Sequence, residues 1–427
     1  MSSSPSLERI AVIGSGVSGL VTAHLLHPHA DVTVFEADSK LGGHVNTVDV
    51  TDGGRTFGID TGFIVYNERN YPYFSSLLDE LGVETQPSDM SFAVSSRVSG
   101  LEYAGTNLNT LLARRTNAFR PSFLRMLLDV VRFNRAARAL LCEDDLSLSL
   151  EAFLKKGRYG RSFVEDYLIP LGASIWSANP QTFTAFPAAP LARFLHQHGL
   201  LTFGDRPRWR TVTGGARRYV EALIAPLGGR VRTNCAVTRV VRDAGAVTVH
   251  STLHPEGERF DRVVLATHAD TALALLDEPS ADERGILGAM RFQHNRATLH
   301  TDVSLLPKRP RARASWNYSS GEDVQVPVLT YYANRLQGLV SETHYCITLN
   351  ADSAIEPSTV IASFDYRHPV FDEAALRAQR RHHEIDGRQR THFVGAYWGY
   401  GFHEDGVQSA HRVTSRILGA RHEMATS

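Results

Sequence analysis

The order of apolar and polar positions predicts most of the elements. Residues 7–13 form a short apolar strand that runs into Gly14-Ser15-Gly16-Val17-Ser18-Gly19 and then an apolar helical stretch, 20–26. Asp31–Phe35 reads as a second apolar strand, closed by Glu36. A hairpin is expected around Asp52-Gly53-Gly54, and a C-terminal helix ending near Leu418. Runs at 291–303, 326–332, 344–349 and 360–364 alternate in the manner of strands and predict an antiparallel sheet roofing a pocket. Pro121 can open a helix in which Phe123, Met126, Val130, Phe133, Ala137, Leu140 and Leu141 recur at spacings of three and four, one apolar face.

Composition narrows the class. With 427 residues, 43% apolar and 21% charged, the chain can bury a sizeable core, is expected to split into two domains, and is not a disordered protein. Basic and acidic residues number 45 each, so there is no global electrostatic footprint for nucleic acid, and none is expected as a partner. Only Lys40, Lys155, Lys156 and Lys308 are Lys; the other basic residues are Arg. Cys142, Cys235 and Cys346 are far apart and match neither a metal spacing nor a disulfide scaffold, so no metal is expected and a reducing cytoplasm fits. Residues 1–9 lack the pattern of a signal peptide, and no apolar run reaches the roughly 18 residues that span a bilayer. The balance of charge hides one local excess. Between 111 and 141 stand seven Arg and one acid, Asp129, and Arg125, Arg132, Arg135 and Arg138 fall away from the apolar face. Such a helix is either an ordinary surface helix or one that lies in the interface of an anionic membrane. The second option predicts peripheral contact with the inner face of the membrane through 119–141.

The strand, glycine turn, helix, strand, acid order is that of a dinucleotide-binding unit; the alternative is a glycine-rich loop in another α/β protein. Gly14 permits the tight turn, Gly16 lets backbone approach a pyrophosphate, and Gly19 lets the helix pack on the strand. The helix N-terminus offers free N–H groups to phosphate. Glu36 lies 22 residues after Gly14, near the expected interval of about 20, and can accept from both hydroxyls of an adenosine ribose. Glycine-rich stretches recur at 42–43, 58–62 and 395–406. A nicotinamide enzyme needs only the first unit, whereas a flavin must be held along its whole length.

With these motifs in order, the chain resembles the FAD-dependent amine-oxidase superfamily, which includes protoporphyrinogen oxidases and carotenoid desaturases. The likeness extends through Gly214-Gly215 in TVTGGARRYVEAL, VVLATH, and the C-terminal glycine loop. GFIVYN, MSFAVS, IWSANP, HGLL with RPRWRTVTGG, SWNY and GAYWGYGFHEDG make it most similar to bacterial predicted NAD/FAD-binding proteins encoded beside cyclopropane-fatty-acyl-synthase-type methyltransferases. The resemblance implies an α/β fold with a Rossmann-like FAD-binding domain at 1–88, 208–270 and 385–427, and an inserted α+β substrate domain at 89–207 and 271–384. It implies FAD contacts from Gly14, Ser15, Gly16, Val17, Ser18 and Gly19 at the pyrophosphate, and from Glu36 and Ala37 at the ribose. Gly42, Gly43 and His44 would pass the phosphates and ribityl chain, Val237 would meet the adenine through its backbone, and Thr267 would also contact FAD. Asp60, Thr61, Gly62 and Phe63 would line the isoalloxazine. Tyr400, Gly401, Phe402, His403, Asp405, Gly406 and Val407 would lie near the ring's other edge. His44 stands where many relatives carry Arg, and Ala396-Tyr397 where many carry an acid, so Asp405 or backbone is the expected substitute anchor.

Amine oxidases of this superfamily usually hold a Lys near the flavin. The corresponding stretch, 290–302, has Asn295 and Arg296 but no Lys, and Lys308 lies in a Pro/Arg-rich loop. Candidate pocket residues are Tyr66, His198, Trp209, Trp316, Tyr318, Tyr332, Asn334, Tyr400, His403 and Glu404. His403, Glu404 and Tyr332 are the catalytic candidates; a His or Glu tuned near neutrality could remove an allylic proton. The expectation is a cytoplasmic FAD-dependent oxidoreductase that dehydrogenates or isomerises an unsaturated or methylated fatty acyl chain, as free lipid or within a phospholipid. The electron acceptor is left open, with oxygen among the options. The alternatives are an amine or amino-acid oxidase releasing peroxide, and a flavin-binding protein without turnover.

Overall fold

Five strands lie parallel in the order Val231–Arg232, Asp31–Phe35, Arg9–Ile13, Arg262–Leu265, Thr391–Phe393. The structure is a computed structural model and describes residues 7–96, 99–176, 183–202, 204, 206–321 and 324–425. The first six residues and the last four of the IWSANP stretch lie outside the described residues. The strands are almost continuously apolar because both faces of a parallel sheet are covered; Ile10, Ala11, Val12, Val32, Val34, Val263 and Leu265 have no solvent exposure.

The first helix, Val17–Leu26, starts three residues earlier than apolar periodicity alone predicts. Gly16 stays extended as its N-cap, so the glycine turn is tighter and Gly19 falls inside the first helical turn. A Cβ on Gly19 would stand 2.0 Å from the Gly14 carbonyl oxygen and 3.0 Å from Ala266 Cβ. The helix rests on the sheet at that point with no room for a methyl group. The C-terminal helix, His403–Ala425, packs against the first helix.

The four runs with strand alternation do form strands: Phe292–His300, Val324–Tyr332, Cys346–Leu349 and Val360–Pro369. The sheet is larger than predicted and not wholly antiparallel. Trp316–Gly321 joins it, and Phe92–Ser96 pairs in parallel with that strand, bringing in Glu102–Ala104. The sheet therefore has seven strands drawn from both sequence insertions. The expected hairpin forms from Thr47–Asp52 and Arg55–Asp60, turning on Gly53 and Gly54, both at positive φ.

The predicted basic helix spans Pro121–Ala139 and buries Phe123, Met126, Val130, Phe133 and Ala137, with Leu140 and Leu141 only partly covered beyond its end. Asp129, on the same helix, is also fully buried. Burial opposes its charge, but the Gly160 amide at 2.9 Å together with Arg132 and Arg125 holds the carboxyl below its ordinary range. Two of the arginines, both about half exposed, are thus committed to this buried carboxylate.

Gly19→Ala is expected to destabilise the fold by about 2–3 kcal/mol through overpacking against the Gly14 carbonyl and to lower cofactor content; urea denaturation and flavin absorbance measure the two effects.

Candidate active site

A cavity of about 900 Å³ opens at the carboxyl ends of the parallel strands, where α/β sheets bind ligands. One half is walled by glycine turns. Gly42 donates to the Ser15 carbonyl at 3.1 Å, and a Cβ on Gly43 would stand 3.2 Å from Gly16 Cα, so the two turns are pressed together. A Cβ on Gly16 would meet nothing within 4 Å, leaving that backbone open to the cavity. The first helix has no side-chain cap there, and its first-turn N–H groups are available to an anion. Glu36 accepts from the Ser15 amide at 2.9 Å and the Asp38 amide at 3.0 Å, which fixes its carboxylate at the cavity wall.

The opposite wall comes from the seven-stranded sheet and from the turn before the C-terminal helix. Four partly buried imidazoles line the cavity: His368 from that sheet, His403 from that turn, His44 after the Gly42-Gly43 turn and His268 after the strand Arg262–Leu265. Burial is the main cause that lowers all four, His268 to about 4, and His368 and His403 to about 3. They are neutral at physiological pH. His44 stacks on Tyr366 at 5.2 Å, and its Nε2 is 3.0 Å from the Arg367 carbonyl. Asn350 donates to Asn295 Oδ1, which turns Asn295 Nδ2 toward His368 Nδ1 at 2.8 Å and sets that imidazole as the Nε2–H tautomer. His403 stacks on Phe63 at 3.6 Å, with its Nε2 2.9 Å from the Tyr219 hydroxyl. Two cations also line the cavity. Burial brings Lys40 down to about 8 and it bonds Asn46; Arg367 pairs with Asp270. Arg367 Nε and Trp316 Nε1 are buried without a hydrogen-bond partner, donors suited to a polar ligand.

Of the residues expected around FAD, Gly14, Ser15, Gly16, Val17, Ser18, Glu36, Gly42, Gly43, His44, Gly62, Phe63, Thr267, Tyr400, Gly401, Phe402 and His403 line this cavity. Others do not, and most of them have a structural task instead. Gly19 seats the helix. Ala37 is exposed and Val237 opens the strand Val237–Arg242, both off the cavity wall. Asp60 is fully buried, accepting from Thr47 Oγ1 at 2.6 Å and the Ala216 amide at 3.0 Å. Thr61 bonds Asn46 and Tyr366. Asp405 folds back onto the Phe402 amide at 2.8 Å and is no substitute anchor. Burial raises both Asp60 and Asp405 to about 7. A Cβ on Gly406 would meet Ser18 Oγ at 2.8 Å, so that glycine lets the two helices touch, and Val407 is core.

The catalytic candidates need correction. Glu404 caps the helix Pro72–Glu80, accepting from the Phe74 amide at 2.9 Å and the Tyr73 amide at 3.2 Å, and is not on the cavity wall. Tyr332 points away and bonds His344 at 2.7 Å; its neighbour Tyr331 lines the cavity, because successive strand residues face opposite ways. His403 is in place but far too weak a base to be tuned near neutrality. Among the other candidates, Trp209, Trp316 and Tyr400 line the cavity, while Tyr66 and Tyr318 are core, His198 stacks on Phe194, and Asn334 holds its own loop. Sequence reasoning missed His268, His368, Tyr366 and Arg367; YRHP follows an alternating strand, but nothing local marks which face meets a ligand. Among the described residues no group of three or more His, Cys, Asp or Glu could hold a metal ion.

The doubly wound sheet, the paired glycine turns and the long cavity define a flavin-dinucleotide-binding protein, and the open Gly16 backbone, Glu36 and the unpartnered donors fit FAD. The chain belongs to the flavin-containing amine oxidoreductase family, whose model matches residues 17–296, and FAD is its cofactor. It is 25% identical over 292 residues to an L-amino-acid oxidase of Mus musculus, covering 62% of this chain and 42% of that protein. Matches to the curated relatives span 14–55% of their length. Cyclohexylamine oxidase from Brevibacterium oxydans IH-35A shares the fold with a TM-score of 0.71 at 16% identity, covering 98% of this chain and 100% of that one. So does a CLA-producing fatty acid isomerase from P. acnes, with a TM-score of 0.68 at 16% identity over 96% and 98%.

Two outcomes follow. His403→Gln is expected to retain FAD and leave the pH–rate profile between about pH 5 and 9 unchanged, since the imidazole is neutral throughout; steady-state kinetics across that range measure it. Asp60 has a folded value above its unfolded one, so its stability contribution is largest below 3.8 and declines as pH rises to about 7. Thermal midpoints of Asp60→Asn, compared with the parent, are expected to lose that downward slope.

Proposed function

We propose that the protein is an FAD-dependent oxidoreductase acting on an apolar acyl chain, dehydrogenating or isomerising it at an unsaturated or methylated position. The observation that carries this reading is the division of the cavity. Beyond the glycine turns the wall is Ile64, Met90, Ile175, Trp176, Trp209, Trp316, Tyr331, Phe364 and Phe371. The cations Lys40 and Arg367 are occupied by Asn46 and Asp270, and the carboxylate of Asp365 is exposed and pairs with Arg296. Asp365 and Arg367, the charged groups beside this aromatic stretch, are thereby each ion-paired within the protein, so neither is a dedicated counter-ion for an ammonium or an amino-acid carboxylate. Asn295, in the stretch where amine oxidases of the family are expected to carry Lys, instead orients His368.

FAD, when bound, supplies a two-electron acceptor for a substrate C–H bond. This chain's own part is to hold the acyl chain against the aromatic wall, keep water out, and present neutral imidazoles in place of charged groups. A likeness in fold to a fatty acid isomerase supports the reading. The second reading, an amine or amino-acid oxidase, is favoured by the names of relatives such as the mouse L-amino-acid oxidase.

Anaerobic mixing of the FAD form with unsaturated fatty acids, extracted phospholipids or amines separates them. An altered acyl chain by mass spectrometry is the expected result, with lasting bleaching for dehydrogenation and oxidised flavin regained for isomerisation; bleaching by amines alone would replace the first reading with the second. Ile175→Asp, which sets a charge in the apolar wall, is expected to lower lipid turnover at least tenfold while flavin absorbance is retained.

A further inference from the structure

The outward side of the Pro121–Ala139 helix carries a second apolar stripe that its inward periodicity hides. Leu124, Leu128 and Val131, spaced four and three apart, are 46%, 63% and 53% exposed, and Phe119 just before the helix is 87% exposed. Leu108, 77% exposed, sits on the short helix Leu108–Leu111, which packs against the Pro310–Ala312 turn. These five are nearly half of the large apolar side chains exposed among the described residues. Arginine surrounds them. Arg115, Arg135 and Arg138 are exposed, Arg120 is half-buried, and Lys308 and Arg311 flank the neighbouring turn. Between 107 and 142 the sole acid is Asp129, which is buried and already held by Arg125 and Arg132. The helix's inner face belongs to the same apolar cluster as Trp176 and Phe371, which wall the cavity.

We infer that this face docks on the surface of an anionic lipid bilayer, with Phe119, Leu124, Leu128 and Val131 entering the acyl boundary and the arginines meeting the headgroups. Charge selects this occupant. A second copy seated on the same face would bring arginine rows against each other, whereas a plane of negative headgroups matches them over the length of the helix. The inference stands on the surface and not on the substrate, so its test needs no turnover.

The FAD-loaded full chain is sedimented with phosphatidylcholine vesicles, with and without phosphatidylglycerol. Binding is expected only with the anionic lipid, falling as salt is raised and the Debye length shrinks. Phe119→Ser/Leu128→Ser is expected to weaken partitioning at least tenfold, and Arg135→Gln about five-fold. Flavin absorbance and thermal midpoint should hold, because all three side chains are exposed. Absence of binding to anionic vesicles at low salt, or a Phe119→Ser/Leu128→Ser variant that binds like the parent, would overturn the inference. So would light scattering showing a dimeric parent that this variant converts to monomer, since the stripe would then be covered by a second copy.

Discussion

A carboxyl group with no access to solvent, Asp60, ties together the segments that shape the cavity. Its oxygens accept from Thr47 on the paired strand, from the Ala216 amide at the start of the helix Arg217–Ile224, and from Gln337 beside the seven-stranded sheet. Gln337 also accepts from the Asp60 amide at 2.9 Å. A buried charge is tolerated only when its lone pairs are met, so hairpin, helix and sheet must all be in place for this group to be satisfied. The following residues, Gly62 and Phe63, reach the cavity wall because Asp60 and Thr61 are pinned behind it.

The same economy of charge marks the cavity. Glu36, Lys40 and Arg367 line it, and each already bonds a protein group: Glu36 the Ser15 and Asp38 amides, Lys40 the Asn46 side chain, Arg367 the Asp270 carboxylate. Imidazoles face the remainder, held neutral by burial. Such a wall stabilises an uncharged ligand without requiring a counter-ion, and the low dielectric strengthens whatever hydrogen bonds the flavin and its neighbours make.

Helix-level charge follows a similar logic on the outside. The Pro121–Ala139 helix spends two arginines on Asp129 and leaves others in solvent beside exposed leucines. Its two sides thus serve different partners: the inner side stabilises the cluster next to the cavity, and the outer side has no protein cover among the described residues.

By itself the sequence determined the dinucleotide turn, the first strands and helix, the hairpin, the strand-forming runs and the inward face of the basic helix. These depend on spacing between near neighbours, where glycine sterics and apolar periodicity act directly. Only the tertiary structure decided partners and facing. Phe92–Ser96 joins a sheet whose other main strands lie two hundred residues away, and no local period announces that. Tyr331 rather than Tyr332 meets the cavity, a matter of strand parity. Asp60, Glu404 and Asp405 read as candidate site acids because acids near glycine loops often bind ligands, yet each satisfies backbone or side-chain donors from the protein. Whether a carboxylate serves the ligand or the fold depends on which donors surround it in space, and chain folding brings those donors from far along the sequence.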